Sequence, residues 1–215
     1  MHYTINNLLS VNNEIEKKSN NKANIIAVSK TFPIEKIMPL IEHGHEHFGE
    51  NKVQEAVEKW SNLKKNFANI KLHLVGKLQT NKVKYALPLF DYIHSLDTIK
   101  LAEKIANEQQ KKNFKPKIFI QVNIGKETQK NGVEIENLEQ FYLECKKNFD
   151  LNIIGLMCLP PNEKSPNDYF SQMQILKNKL NLNDLSMGMT NDYIEALNYE
   201  ATFIRIGSKI FGERG

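Results

Sequence analysis

Short apolar runs alternate with longer stretches of helical periodicity along this chain. The opening segment "MHYTINNLLSVNNEIEKKSN" places Leu8, Leu9, Val11 and Ile15 on one helical face. After it comes "NIIAVSK", an apolar run with the length of a buried strand, then a helix beginning at Pro33, a favourable first-turn residue. "EHFGE" reads as a second strand, and "NKVQEAVEKWSNLKKNF" as an amphipathic helix with Val53, Ala56, Val57 and Trp60 in one stripe. "KLHLVG" predicts a third strand, before a short helix in "QTNKVKYALPLF". "YIHSL" is the fourth, with Asp97 or Thr98 capping the helix "IKLAEKIANEQQ". "KPKIFIQVNI", "LNIIGLMCL" and "DLSMGM" follow, separated by "IENLEQFYLECKKNF" and "PNDYFSQMQILKNKL". "TNDYIEALNYE" and the final strand "TFIRIG" complete the pass.

Eight strands emerge, each but the last followed by a helical pattern, and no hairpin turn joins adjacent strands. Strict alternation requires parallel strands with crossover helices. Eight such units predict a closed (β/α)8 TIM barrel with an additional N-terminal helix, in one domain over residues 1–215. An open doubly wound sheet is the alternative. Against a dinucleotide fold, "VSKTFP" has no glycine where the first βα turn would need a Gly-rich loop.

Composition narrows the class. With 215 residues, 40% of them hydrophobic, the chain can build one well-buried core. No stretch approaches the roughly 20 apolar residues of a membrane helix. The N-terminus lacks a signal-peptide pattern, so a cytoplasmic protein is expected, with no membrane partner. Two cysteines, Cys145 and Cys158, are too few for a disulfide framework. The net charge of +4 comes from interspersed Lys and Glu, which argues against a nucleic-acid partner.

In such barrels, chemistry sits at the C-terminal ends of the strands. Strand alternation puts Lys30 on the face of Ile26 and Val28. It also puts Arg205 opposite Ile204 and Ile206, pointing into the barrel mouth. A cation buried there needs a partner, and Glu50 is a candidate. The loops after strands seven and eight carry Thr190, a natural helix cap, and Gly207–Ser208, where the backbone can approach closely and offer a hydroxyl. Together they predict a phosphate site, and Lys30 then suits a Schiff base with an aldehyde cofactor bearing a phosphate. "HGHEHFGE" carries His43, His45 and His47, but no second cluster with ligand spacing follows, so no metal is expected. His94 reads as a packed, hydrogen-bonded strand histidine, Cys158 as a small buried thiol, and Trp60 and Phe67 as filling between helices and barrel.

The stretches "AVSKTFP", "FGENKVQEA", "LHLVGKLQTNKVK", "IHSLDT", "QVNIG", "GLMCLPP", "LSMGMTNDYIEAL" and "RIGSKIFGER" resemble the pyridoxal phosphate homeostasis protein family, itself similar to the N-terminal barrel of alanine racemase. The resemblance implies pyridoxal 5′-phosphate (PLP) held as a Schiff base on Lys30. It implies phosphate contacts from Thr190, Gly207 and Ser208, with backbone around Ser186 and Met187. It places Arg205 near the pyridine nitrogen, and Asn51 and His73 along the cofactor. It further implies an intracellular carrier that is monomeric, with PLP-dependent enzymes lacking their cofactor as transient clients and no catalytic residue of its own. A racemase would need a second acid/base group from a further C-terminal domain, for which the chain past "FGERG" is expected to have no room. The alternatives are a racemase-like enzyme on the same lysine, and a phosphate-binding barrel with no covalent cofactor. Lys77 stands where relatives carry a second histidine, and Lys126 and Lys130 lie in a variable loop, so no roles attach to these three.

Overall fold

The computed structural model describes residues 1–19, 22–127, 129, 131–161 and 165–213. Its strands are β1 (Asn24–Val28), β2 (His47–Glu50), β3 (Lys71–Leu74), β4 (Tyr92–Leu96), β5 (Lys117–Val122), β6 (Asn152–Cys158), β7 (Asp184–Met189) and β8 (Phe203–Ile206). They pair in parallel, in sequence order, into a closed barrel. β8 returns to β1 with Ile26 opposite Arg205.

The helices are α1 (Tyr3–Lys18), α2 (Ile34–Glu42), α3 (Val53–Trp60), α4 (Leu63–Asn66), α5 (Val83–Ala86), α6 (Ile99–Lys112), α7 (Leu138–Asn148), α8 (Asn167–Lys179), α9 (Tyr193–Leu197) and α10 (Ser208–Phe211). Thr98 caps α6, its side chain accepting from the Leu101 N–H. α1 buries Thr4, Leu8, Val11 and Ile15, while Leu9 is exposed. Leu9 is one residue, about 100° of helical rotation, from Leu8 and so turns off the buried stripe. The predicted helix over 51–67 is two: Ser61 donates its hydroxyl back to the Val57 carbonyl, 2.6 Å away, and α3 stops.

Strand alternation sorts the side chains into two layers. Ile25, Ala27, Phe48, Leu72, Leu74, Ile204 and Ile206 join the large outer core under the helices. Ile26, Val28, Tyr92, Phe119, Met157 and Phe203 fill the barrel interior. Each fully buried Ile or Leu contributes about 1.5–3 kcal/mol of transfer free energy. At the upper mouth, beyond the C-terminal strand ends, polar groups join the apolar side chains of both layers.

Candidate functional site

The lysine stands in a turn whose two flanks are pinned. β1 ends at Val28, so Lys30 lies two residues past the strand and reaches the mouth from a turn. Before it, the Ser29 hydroxyl donates to Glu50 Oε1 at 2.8 Å, and the Ser29 carbonyl accepts from Lys59 Nζ at 3.0 Å. After it, Thr31 adopts a left-handed φ of 67°, and its N–H donates to Glu55 Oε1 at 2.6 Å. A β-branched residue at positive φ is strained, so the surrounding bonds must hold it. Glu50 therefore works from behind the sheet. It is fully buried, pairs with Lys59 at 2.9 Å and accepts the Trp60 indole N–H at 2.9 Å. The expected Glu50–Arg205 pair does not form: Gly49 takes the inward position of β2 and Glu50 the outward one.

Arg205 does point into the barrel. Its Nη1 donates to Ser186 Oγ at 2.7 Å and its Nη2 to the Cys158 carbonyl at 2.8 Å. It is 5% exposed, and no carboxylate lies within ion-pair distance of it among the described residues. Burial lowers its pKa, opposed by the charges of Cys158 and Asp192. A guanidinium stays protonated even so, and remains a fixed donor and positive charge.

Across the mouth, the turns after β7 and β8 meet. Ser208 Oγ lies 3.4 Å from Thr190 Oγ1, beside Gly207. A Cβ on Gly207 would find only ordinary contacts, 3.5 Å from the Val28 carbonyl oxygen and 3.7 Å from its Cβ. Protein packing does not demand that glycine, so what its missing side chain leaves is room. Gly188 differs: at φ +88°, its Cβ would come within 2.7 Å of the Ala196 Cβ. Thr190 is not the helix cap. α9 begins later, and Asp192 stands at its N-cap, its carboxylate closing the turn on the Met189 N–H at 2.6 Å. That leaves the Thr190 hydroxyl to the mouth. Burial raises the Asp192 pKa, while the Met189 N–H and the Arg205 charge pull it down.

These groups line one cavity of about 640 Å³. Lys30, Asn51, Thr190, Arg205, Gly207 and Ser208 all face it. His73, Ser186 and Met187 do not. His73 and Ser186 are buried beneath it in a hydrogen-bonded chain, and Met187 packs in the outer core. Sequence reasoning missed Val28, Phe32, Val75, Leu159, Pro160, Met189, Asn191, Asp192 and Gly212, which complete the wall. For the apolar members the signal was position alone, at or just past a strand end. Lys77 donates to Asn131 at 2.6 Å and Lys126 pairs with Glu136, both on the exposed rim; Lys130 lies outside the described residues. Cys158 is buried, and its carbonyl accepts from Arg205.

The alanine racemase N-terminal domain family matches residues 6–215. The pyridoxal phosphate homeostasis protein of Aquifex aeolicus is 38% identical over 206 residues, covering 92% of this chain and 90% of that protein. Its Escherichia coli counterpart is 31% identical over 210 residues, covering 92% and 88%. The structure of PipY from Synechococcus elongatus with PLP bound superposes with a TM-score of 0.86 at 31% identity, covering 97% of this chain and 100% of that one. An alanine racemase from Clostridium difficile shares the fold at 14% identity and a TM-score of 0.76, covering 99% of this chain and 57% of the racemase.

Proposed function

We propose a function from one premise: the chain belongs to the family of pyridoxal phosphate homeostasis proteins, built on the alanine racemase N-terminal domain. PLP is the cofactor, as in the related PipY structure. The finer reading is that it is held as a Schiff base on Lys30, and that the protein stores and hands over the cofactor without strong catalysis of its own.

The observation that carries this reading is the grouping of three unlike functions around one cavity: an amine, a buried guanidinium and a pair of hydroxyls beside a bare glycine. They match the aldehyde, the ring nitrogen and the phosphate of PLP in kind. Arg205 lacks a carboxylate partner among the described residues, so a ring nitrogen accepting from it would satisfy an otherwise costly buried charge. Thr190 and Ser208 would donate to phosphate oxygens, in the space Gly207 leaves. Asn51 lines the wall from the end of β2. When bound, PLP supplies an electron sink whose strength depends on ring protonation. A permanently protonated Arg205 donates to the ring nitrogen and discourages a proton there, which favours retention over turnover. The other titratable groups on the described wall are Asp192 and Arg205. Neither is a tyrosine or histidine suited to moving a proton at neutral pH. Enzymes awaiting PLP are the clients such a carrier serves.

The test is the absorption spectrum of protein saturated with PLP, before and after borohydride, followed by peptide mapping. The label should map to Lys30 and vanish in Lys30→Ala. A label on another lysine overturns the attachment, and Lys30-dependent amino-acid turnover replaces the carrier with an enzyme.

A further inference from the structure

Three histidines are hydrogen-bonded in series through the barrel interior. His47 Nδ1 meets His73 Nε2 at 2.9 Å, His73 Nδ1 meets His94 Nε2 at 2.9 Å, and His94 Nδ1 meets Ser186 Oγ at 2.9 Å. Ser186 is in turn the acceptor of Arg205. The chain runs from the start of β2, at the lower face of the barrel, to the floor beneath the cavity. Aromatic rings sheathe it. Tyr92 stacks on His73 at 4.1 Å, Phe119 stacks on His94 at 4.4 Å, and Phe203 touches all three imidazoles. His73 and His94 are fully buried, whereas His47 is only half-buried.

One arrangement of protons satisfies every bond in the series and also uses the Ser186 hydroxyl. Arg205 can only donate, so it takes one lone pair of Ser186, and in this arrangement the hydroxyl proton goes to His94 Nδ1, the other partner of that oxygen. His94 must then carry its proton on Nε2 and donate to His73. His73 does the same toward His47, whose own Nε2–H faces the lower side. With the serine proton given to His94, the three neutral rings line up in one direction.

We propose that His47, His73 and His94 are positioning residues for Arg205, forming a proton relay that links the lower face of the barrel to the cavity floor through Ser186. The proposal rests on PLP occupying the cavity with Arg205 at its ring. An imidazolium at position 47 carries protons on both nitrogens, and its Nδ1–H needs an acceptor. His73 can accept only if its proton sits on Nδ1, which forces His94 into the same state. His94 then donates to Ser186, whose hydroxyl proton turns away while its oxygen accepts two donors. The ordered chain holds four protons, three on rings and one on the serine; the reversed one holds five, the extra one on His47. Protonation at the lower face is therefore coupled to the partner of Arg205, and the coupling acts equally in both directions.

Burial lowers the pKa of His47, Glu46 and Asp91 raise it, and Lys71 and Lys117 lower it. Burial also holds His73 and His94 well below the usual imidazole range, helped by each ring's charged neighbours, Arg205 for His94. From the adjoining elements, Lys71 of β3, Asp91 and Tyr92 at β4, Lys117 of β5, Asp184 of β7 and Phe203 of β8 surround this lower end, with His45 held on the His47 carbonyl. His47 is thus the one ring of the three placed to titrate.

The test is ¹⁵N–¹H correlation spectroscopy of the histidine rings in cofactor-free protein between about pH 4.5 and 8, spanning the ordinary imidazole range. At the upper limit all three should be Nε2–H tautomers. As His47 titrates, His73 and His94 should switch to Nδ1–H at its midpoint while staying neutral. In His47→Gln, which cannot titrate, the switch should be lost. Tautomers that stay put as the wild-type His47 titrates, or that still switch in the variant, overturn the proposal. A second arm follows the absorption of PLP-loaded protein, where the variant should lose a pH-dependent step present in wild type; an identical step in both also overturns it. Failure of wild type to take up PLP sinks the functional reading while leaving the cofactor-free spectra to judge the relay.

Discussion

Arg205 faces the cavity because a strand alternates, and its partners follow from what stands beside it on β6 and β7. On the proposed placement at the cofactor ring, replacing it with Met would remove a charge-assisted bond worth about 1.5–3 kcal/mol. PLP affinity in a fluorescence or absorbance titration should fall by about 10- to 150-fold, the same free energy expressed as a ratio. Unchanged affinity and spectrum would remove Arg205 from the ring. The alternation that revealed Arg205 should also have excluded Glu50 as its partner, since Phe48 and Glu50 share the outward side of β2. What the sequence does not display is the pairing across β2 and α3, because Lys59 and Trp60 come together with Glu50 only when α3 packs. Lys59→Met strands a fully buried carboxylate, and loss of one partner of a buried pair costs about 3–5 kcal/mol. Urea denaturation should show that loss, and Glu50→Gln added to Lys59→Met should recover much of it. A single variant as stable as wild type would mean that Glu50 draws its stabilisation from Ser29 and Trp60 alone.

At the scale of elements, strand cores were legible and helix ends were not. "YIHSL" and "DLSMGM" coincide with β4 and β7 because an apolar run bounded by polar residues has one reading. α9 is shorter than its sequence pattern, because Asp192 closes a turn before it and Gly188 needs a left-handed backbone. Gly188→Ala should destabilise the protein by about 1–2 kcal/mol from backbone strain, before the contact with Ala196 is counted, and so lower Tm. An unaltered Tm would contradict that crowding. The tie between α1 and α10 adds a pH dependence. Lys209 bonds Glu14 and the Tyr193 hydroxyl, while Tyr3 and Asn7 donate to the Phe211 and Ile210 carbonyls. Chiefly through its bond to Lys209, Glu14 titrates at about 2 instead of the ordinary 4.5. A depressed carboxylate stabilises fully above its unfolded pKa and loses that contribution as pH falls through the folded one. The stability advantage of wild type over Glu14→Gln should therefore be constant above pH 4.5 and shrink toward pH 2 in thermal melts. A constant gap down to pH 2 would mean the carboxylate makes no such bond.

For the whole molecule, the cavity sits on the seam where the barrel closes. β1 brings Lys30 and Val28, β8 brings Arg205 and Gly207, and these strands are the first and last of the chain. A ligand attached at Lys30 and anchored at Gly207–Ser208 would tie the two ends of the fold across their shared edge. No helix among the described residues is long and apolar enough to cross a membrane. A ligand that binds only the folded chain stabilises it by about 2.7 kcal/mol at a hundredfold excess over its Kd. For a domain of this size each kcal/mol shifts Tm by about 2–4 °C, so PLP should raise Tm by about 5–10 °C. In Lys30→Ala the shift should shrink but stay positive, because the proposed phosphate contacts at Thr190 and Ser208 would remain. Thr190→Val combined with Ser208→Ala should cut the shift while leaving the borohydride-fixed label on Lys30. If the lysine variant matched wild type, the seam would be bridged by the phosphate end and ring contacts alone, and the amine would be a bystander in the stability of the loaded barrel.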